Sequence, residues 1–340
     1  MVDTFTDSLK RWYGDIQVGT PPQTMSVVFD SGSTDLEIAS TLCGETCNNQ
    51  VKFDANKSST WVESGEEDEY ISFATGVGVD PVSTTEDDWY LLLHKGNDTI
   101  AVGGVSVPNV ELYLITYQTP TFSPDPFSGI QGLSSNAAGL FAGLQQQGLP
   151  SLFSFYLTPK SVGNAELTLG GIDTSKFKGN ITYVPLKVDG SGTWQLTSTG
   201  ITVNGNSTTT LQKERIIIFD SGTSNIVLPK EDTEAIYAQI SPNIKPNDDE
   251  PGTYGIPCSE IGSLPAEISF AFKSESGDTF ELVVPSDELS VGPFRNKPEV
   301  CQTLINAQEF FTVIGGSAFK HYYTVWDVGN QRLGFALNGI

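Results

Sequence analysis

The chain has 340 residues, 38% of them hydrophobic and 17% charged, which is enough for a sizeable core and, by length alone, for two domains or one large bilobal unit. Its 41 acidic side chains against 18 basic ones leave a formal charge of -23, a field that repels nucleic acid and anionic membrane surfaces and excludes both as partners. Protonating carboxylates relieves the self-repulsion, so the composition suits an acidic medium.

The N-terminus, Met1-Val2-Asp3-Thr4, lacks a charged region followed by an apolar one, and no run approaches the roughly 18 apolar residues of a membrane span. A mature form without its targeting segment and without a membrane span is expected. Short apolar runs bounded by Gly, Pro, Asn or Ser predict strands at 13–18, 25–29, 110–116 and 181–185, and hence a mostly β protein. Helical spacing is confined to 137–147, with Leu140, Phe141 and Leu144 on one face, and to 231–240, with Ala235, Ile236 and Ile240.

The most informative feature is an internal echo. Val27-Val28-Phe29-Asp30-Ser31-Gly32-Ser33-Thr34 in the first half matches Ile217-Ile218-Phe219-Asp220-Ser221-Gly222-Thr223-Ser224 in the second. Each is followed downstream by an apolar stretch ending in glycine, Gly129-Ile130-Gln131-Gly132 and Thr312-Val313-Ile314-Gly315. The echo predicts two lobes of like construction, 1–184 and 185–340, each supplying one aspartate at the end of an apolar strand, where the chain turns tightly through a small residue and glycine.

An acid in such a place is partly withdrawn from water. If pseudo-symmetry brings the loops together, two like charges at close range cannot both ionise easily, and one proton is shared. The protonated member then donates to a carbonyl oxygen while the ionised member takes a proton from a water held between them, which is general acid-base hydrolysis of an amide. Ser31 and Ser221 are placed to brace the loops against each other, and Ser33 and Thr223 to hydrogen-bond the outer carboxylate oxygens. A single Asp-Ser-Gly would be read as a turn; the duplication is what points to chemistry.

Cys43, Cys47, Cys258 and Cys301 form an even set, and His94 and His321 lie too far from them for a zinc-finger spacing, so disulfides are expected. Four cysteines allow three connectivities; the short spacing of Cys43 and Cys47 favours one small local loop and a longer bridge in the second half. Asn-x-Ser/Thr acceptors at Asn56, Asn97, Asn180 and Asn206 fit a secreted glycoprotein.

With these residues in hand, the chain resembles the pepsin-like aspartic proteases, in a form closer to secreted fungal members than to gastric ones. Besides the two Asp loops, the likeness rests on Tyr13-Gly14, Gly19-Thr20-Pro21-Pro22-Gln23, Gly170-Gly171-Ile172-Asp173, Trp194-Gln195 and Tyr322-Tyr323-Thr324-Val325-Trp326-Asp327. It implies a bilobal pepsin-like fold of two β-rich lobes around a cleft, with Asp30 and Asp220 as the catalytic pair. It further implies bridges Cys43–Cys47 and Cys258–Cys301, and an acid endopeptidase made as a zymogen. Such an enzyme is monomeric, free of metal or other cofactor, active on peptide or protein substrates with apolar residues around the cut, and bound by pepstatin-type inhibitors. A secreted location follows, or else a vacuole or other acidic compartment.

Three positions depart from the family. Aligning Ile71-Ser72-Phe73-Ala74-Thr75-Gly76 with the hairpin flap that closes over substrate puts Phe73 where the family has Tyr, with Phe73, Ala74, Thr75, Gly32 and Gly222 expected to touch substrate. Glu37 stands where the family has the Trp that bonds that Tyr. The stretch 77–95 is longer than a usual flap return and carries Glu86-Asp87-Asp88-Trp89, which reads as a solvated surface insertion or else as a rebuilt flap or substrate-facing acidic rim; the acidic run 66–69 reads as a solvated face. Gln131 replaces an aliphatic residue and, if buried, needs partners for its amide. His94 and His321 are expected as surface or capping residues without a role. Two other readings were weighed: a pepsin fold serving as a binding or inhibitory protein, which the intact loops do not favour, and a paired-carboxylate glycosidase, which needs two dissimilar acids rather than near-identical ones.

Overall fold

The fold is described from a computed structural model, which defines residues 2–6, 9–64, 69–73, 89–123, 125–136, 138–159 and 161–338. Strands dominate, in sheets of nine, seven, five and four strands, with few short helices. The predicted strands are found as Leu9–Val18, Gln23–Asp30, Val105–Gln118 and Phe177–Pro185, each longer than its apolar run because pairing carries the strand past the hydrophobic signal. The helices are Gly139–Gln146, which buries Leu140, Phe141 and Leu144, and Lys230–Ile240, which buries Ile236 and Ile240 while Ala235 stays half-buried.

The internal echo is a repeated topology. In the nine-stranded sheet Gln23–Asp30 runs parallel to Gly129–Gly132, which is antiparallel to Leu36–Ala39, itself parallel to Val105–Gln118. In the seven-stranded sheet Arg215–Phe219 runs parallel to Val313–Ile314, which is antiparallel to Ile226–Leu228, itself parallel to Ile305–Ala307. The downstream glycines are required by close approach. A Cβ on Gly132 would lie 2.3 Å from the Thr34 carbonyl carbon, and one on Gly315 2.3 Å from the Thr223 carbonyl oxygen. The backbone of each aspartate loop therefore seats on a residue without a side chain.

A five-stranded sheet draws on both halves of the sequence. Leu152–Tyr156, Glu166–Leu169 and Phe177–Pro185 pair with each other or with Tyr322–Asp327 and Arg332–Asn338, in registers such as Phe153↔Trp326 and Val184↔Leu333. The motifs around Trp194, Gly170 and Tyr322 meet here. Trp194 is fully buried, packs edge-on against Trp326 at 5.1 Å, and donates its indole N–H to the Leu133 carbonyl at 2.9 Å. The Tyr323 hydroxyl pairs with Ser154 Oγ at 2.6 Å and accepts from the Asp173 N–H at 2.7 Å. Aromatic rings with satisfied polar tips thus tie the first half to the second.

The cysteines form Cys43–Cys47 and Cys258–Cys301. Asn56, Asn180 and Asn206 are exposed, whereas Asn97 is half-buried on the strand Tyr90–Val102. The histidines differ from expectation. His94 lies mid-strand with its Nε2 3.1 Å from a Glu63 oxygen, and His321 sits 3.0 Å from Glu288; each is half-buried beside a carboxylate rather than a surface or capping residue. Among the described residues, no helix is long and apolar enough to cross a membrane.

Candidate active site

Each aspartate ends its strand and is fixed by the turn that follows. Asp30 accepts from the Gly32 N–H at 2.8 Å and from the Ser33 hydroxyl at 2.6 Å; Asp220 accepts from the Gly222 N–H at 2.8 Å and from the Thr223 hydroxyl at 2.5 Å. The loops lock together reciprocally. The Ser31 N–H donates to Ser221 Oγ and the Ser221 N–H to Ser31 Oγ, both at 2.9 Å, while the two hydroxyls donate to the Phe219 and Phe29 carbonyls. Residues 190 apart in sequence are thereby joined through fully paired groups buried from water, where such bonds are hardest to replace.

The turns also fix the distance between the carboxylates. A Cβ on Gly32 would fall 2.6 Å from the Asp220 carboxyl, and one on Gly222 2.3 Å from Asp30 Oδ1, so each glycine lets the opposite acid approach. Asp30 is buried, and its carboxyl is pushed well above the usual carboxylate range, first by loss of water and then by the charge of Asp220 and the hydrogen bond to it; the bonds from Ser33 and Gly32 oppose the shift. A proton on Asp30 shared with Asp220 is the arrangement these forces favour.

The pair opens into a cleft of about 350 Å³. Its walls include Val28, Ile130, Ile218 and Val313, with Ile71 and Phe73 on one side and Thr193 and Phe311 on another. The four wall residues on the aspartate strands and their parallel partners could have been found from the sequence, because side chains two apart share a face: Val28 with Asp30, Ile218 with Asp220. Gly32, Gly222 and Phe73 line the cleft; Ala74, Thr75, the rest of the flap and the acidic residues 66–68 and 86–88 lie outside the described residues.

Phe73 has a second set of contacts. Its ring meets Phe122 edge-on at 5.8 Å, and Phe122 meets Trp89 at 5.0 Å. Trp89 is only 4% exposed and packs in a small core with Leu91, Leu93 and Ile115. Gln131 is buried too, its amide donating to the Gly132 carbonyl at 2.8 Å.

Two further acids line the cleft beside Asp30: Asp35, half-buried, and Glu37, 2% exposed. Burial, then the charges of Asp35 and Asp30, drive the Glu37 carboxyl well above its ordinary range. Sequence reasoning noted Glu37 as a departure and passed over Asp35.

Comparison with known proteins agrees with this geometry. The family model for eukaryotic aspartyl proteases matches residues 11–338. Pepsin-2B of Gadus morhua is 31% identical over 96% of this chain and 95% of its own length, and pepsin A of Bos taurus 31% over 96% and 84%. Rhizopuspepsin-4 of Rhizopus niveus is 30% identical over 93% of this chain and 75% of its own. With paired aspartate loops, a repeated lobe topology and near full-length similarity to pepsins and rhizopuspepsins, the chain belongs to the eukaryotic aspartyl protease family.

Proposed function

We propose that this protein is an acid endopeptidase in which Asp30 and Asp220 together activate a water, with lobes 1–184 and 185–340 contributing one acid each. The observation that carries the reading is the pair itself: two carboxylates held by matched N–H and hydroxyl donors at the floor of an apolar-walled cleft. Burial and the charge of Asp220 raise the Asp30 carboxyl, so the pair keeps one shared proton in the free enzyme, and Asp30 is written as its carrier. It donates to the carbonyl oxygen of the scissile amide as the water oxygen bonds to the carbonyl carbon, and Asp220 takes the proton that the water releases. Collapse of the tetrahedral species breaks the C–N bond as a proton passes to the leaving nitrogen. Above the pH at which the shared proton is lost, the acid member is gone and turnover falls.

Val28, Ile71, Phe73, Ile130, Ile218 and Val313 favour apolar side chains around the cut. Two disulfides and the exposed acceptors Asn56, Asn180 and Asn206 support secretion of a monomer into an oxidising, acidic setting. Incubation with denatured globin or casein across pH 3 to 7, with and without a pepstatin-type inhibitor, tests the proposal. Inhibitor-sensitive cleavage confined to acid is expected; absence of cleavage at every pH would leave a binding protein on the same fold.

A further inference from the structure

Among the described acids that line the cleft, Glu37 is the most deeply buried and has a carboxyl oxygen left unpaired. The second carboxylate oxygen, Oε2, is buried and accepts no hydrogen bond among the described residues, whereas Asp30 accepts two. Neighbouring strands supply no free cation. Tyr113 lies in register with Glu37 on one side and Ile130 on the other. Lys95, on the strand beyond Tyr113, is held 3.0 Å from Glu111 and lies over the Tyr113 ring at 5.5 Å. Asp35 and Asp30 face Glu37 with charge of its own sign, and Asp35 in turn feels Glu111, the opposing charge of Lys95, and Glu69.

Glu37 thus stands in the cleft wall with one carboxyl oxygen lacking a hydrogen-bond partner, and a cleft occupant that carries a donor can supply one. The lining suits a long amphipathic side chain, with Val28, Ile71, Phe73 and Ile130 to hold an aliphatic stem and acids to meet its head. We propose that Glu37, backed by Asp35, is a specificity determinant that receives the cationic head of a substrate Lys or Arg in the cleft beside Asp30. This deepens the endopeptidase reading and rests on it for the word substrate, although the binding site can be tested apart from catalysis.

Proton linkage gives the proposal a second signature. Occupation by a cation favours the ionised form of Glu37, so binding of the basic side chain releases a proton and tightens as pH rises towards neutrality, while binding of an uncharged side chain does not. An enzyme of this design cuts basic substrates at higher pH than apolar ones.

The test uses two series of peptides, identical except for Lys or norleucine, with the residue moved in turn through the positions flanking the bond. One form is cleavable and the other has a reduced, uncleavable linkage. Affinities of the uncleavable pair for the intact protein are measured at pH 4 and 6. At one position the wild type is expected to bind Lys about ten- to a hundredfold more tightly than norleucine, as for a hydrogen bond to a charged group, with a larger ratio at pH 6. In Glu37→Gln the ratio falls towards one and loses its pH dependence, and Glu37→Asp restores part of it. A ratio near one at every position in the wild type, or a Lys preference unchanged in Glu37→Gln, would overturn the proposal. The wild-type comparison stands even if a variant fails to fold. Lys preference in binding without turnover of either cleavable peptide would sink the endopeptidase reading alone; turnover without Lys preference would sink this inference alone.

Discussion

The strands leaving the two aspartate loops occupy equivalent places but carry different chemistry. Glu37 pairs with Ile130, which pairs with Val28; Val227 pairs with Val313, which pairs with Ile218. Glu37 and Val227 are both at least 98% buried. One lobe thus shows what the position needs for folding, a side chain of valine size and polarity, and the other places a carboxyl there. Gln131 and Ile314 make a second such pair, in register with Phe29 and Phe219. The first lobe departs from apolar packing twice around one aspartate, and the second lobe at neither equivalent position. The floor of the site is symmetric, and asymmetry enters through the wall, where a substrate side chain would feel it.

The largest expected effect probes the symmetric part. Asp30→Asn and Asp220→Asn should each lower kcat on a globin-derived peptide by about 10²–10⁴-fold, with circular dichroism unchanged, because neither carboxyl can replace the other when only one proton is shared. Near-normal turnover by either variant would show that the matched loops are not matched in role.

Cross-links offer a contrast of the lobes in stability. The Cys258–Cys301 bridge spans 43 positions and Cys43–Cys47 spans 4. Loop-closure entropy assigns about 4 kcal/mol to the long loop and about 2 kcal/mol to the short one. Paired Cys→Ala variants compared by urea unfolding at fixed pH should fall in that order; equal losses would mean that residual structure in the unfolded chain dominates.

Much of this was legible in the sequence because duplication made it so. Asp30 with Ser31 and Gly32, repeated as Asp220 with Ser221 and Gly222, gave the topology, the pairing of the loops and the need for small residues downstream. Less local facts were hidden. Leu36-Glu37-Ile38 reads by alternation as a half-exposed strand with the acid outside, but the strand has neighbours on both edges and Glu37 is itself part of the cleft wall, so it does not face open solvent. Trp89 follows three acids, and only its distant neighbours Phe122 and Phe73 reveal it as core. Burial made by residues far apart in sequence was what the pattern lacked.

Exchanging the contrasted side chains sharpens the comparison more directly. Val227→Glu buries a carboxyl at a position outside the lining of the aspartate cleft, and should cost about 1–3 kcal/mol, the penalty of an unsatisfied buried polar group, more as pH rises. Glu37→Val removes such a group and should be neutral or stabilising near pH 7. Chemical denaturation of both variants at pH 4 and 7 checks this. Loss of stability on Glu37→Val at pH 7 would mean that the carboxyl has a structural partner after all.

The smallest effect is the pH slope of stability itself, and its sign follows from burial. Asp30, Asp35 and Glu37 all titrate above their ordinary range in the folded protein, chiefly because burial penalises their charged forms. The folded state therefore keeps protons that the unfolded chain has already released, and stability falls as pH rises through that interval. The contribution is whole below the ordinary carboxylate values, near pH 4, and is lost as pH climbs through the raised folded-state values. Thermal unfolding of the wild type should accordingly give a Tm that declines from acid towards neutrality. In Glu37→Gln one of the three raised groups is gone, so the decline should be shallower, with the two curves converging at low pH, where Glu37 is protonated and differs little from Gln. Val227→Gln provides the matched control in the other lobe: it alters packing at the equivalent position without removing a titrating group, so its curve should run parallel to the wild type. A Glu37→Gln curve that also ran parallel would mean that Glu37 is ionised throughout and paired, and the asymmetry between the lobes would then be one of salt-bridge design and not of an acid kept ready for substrate.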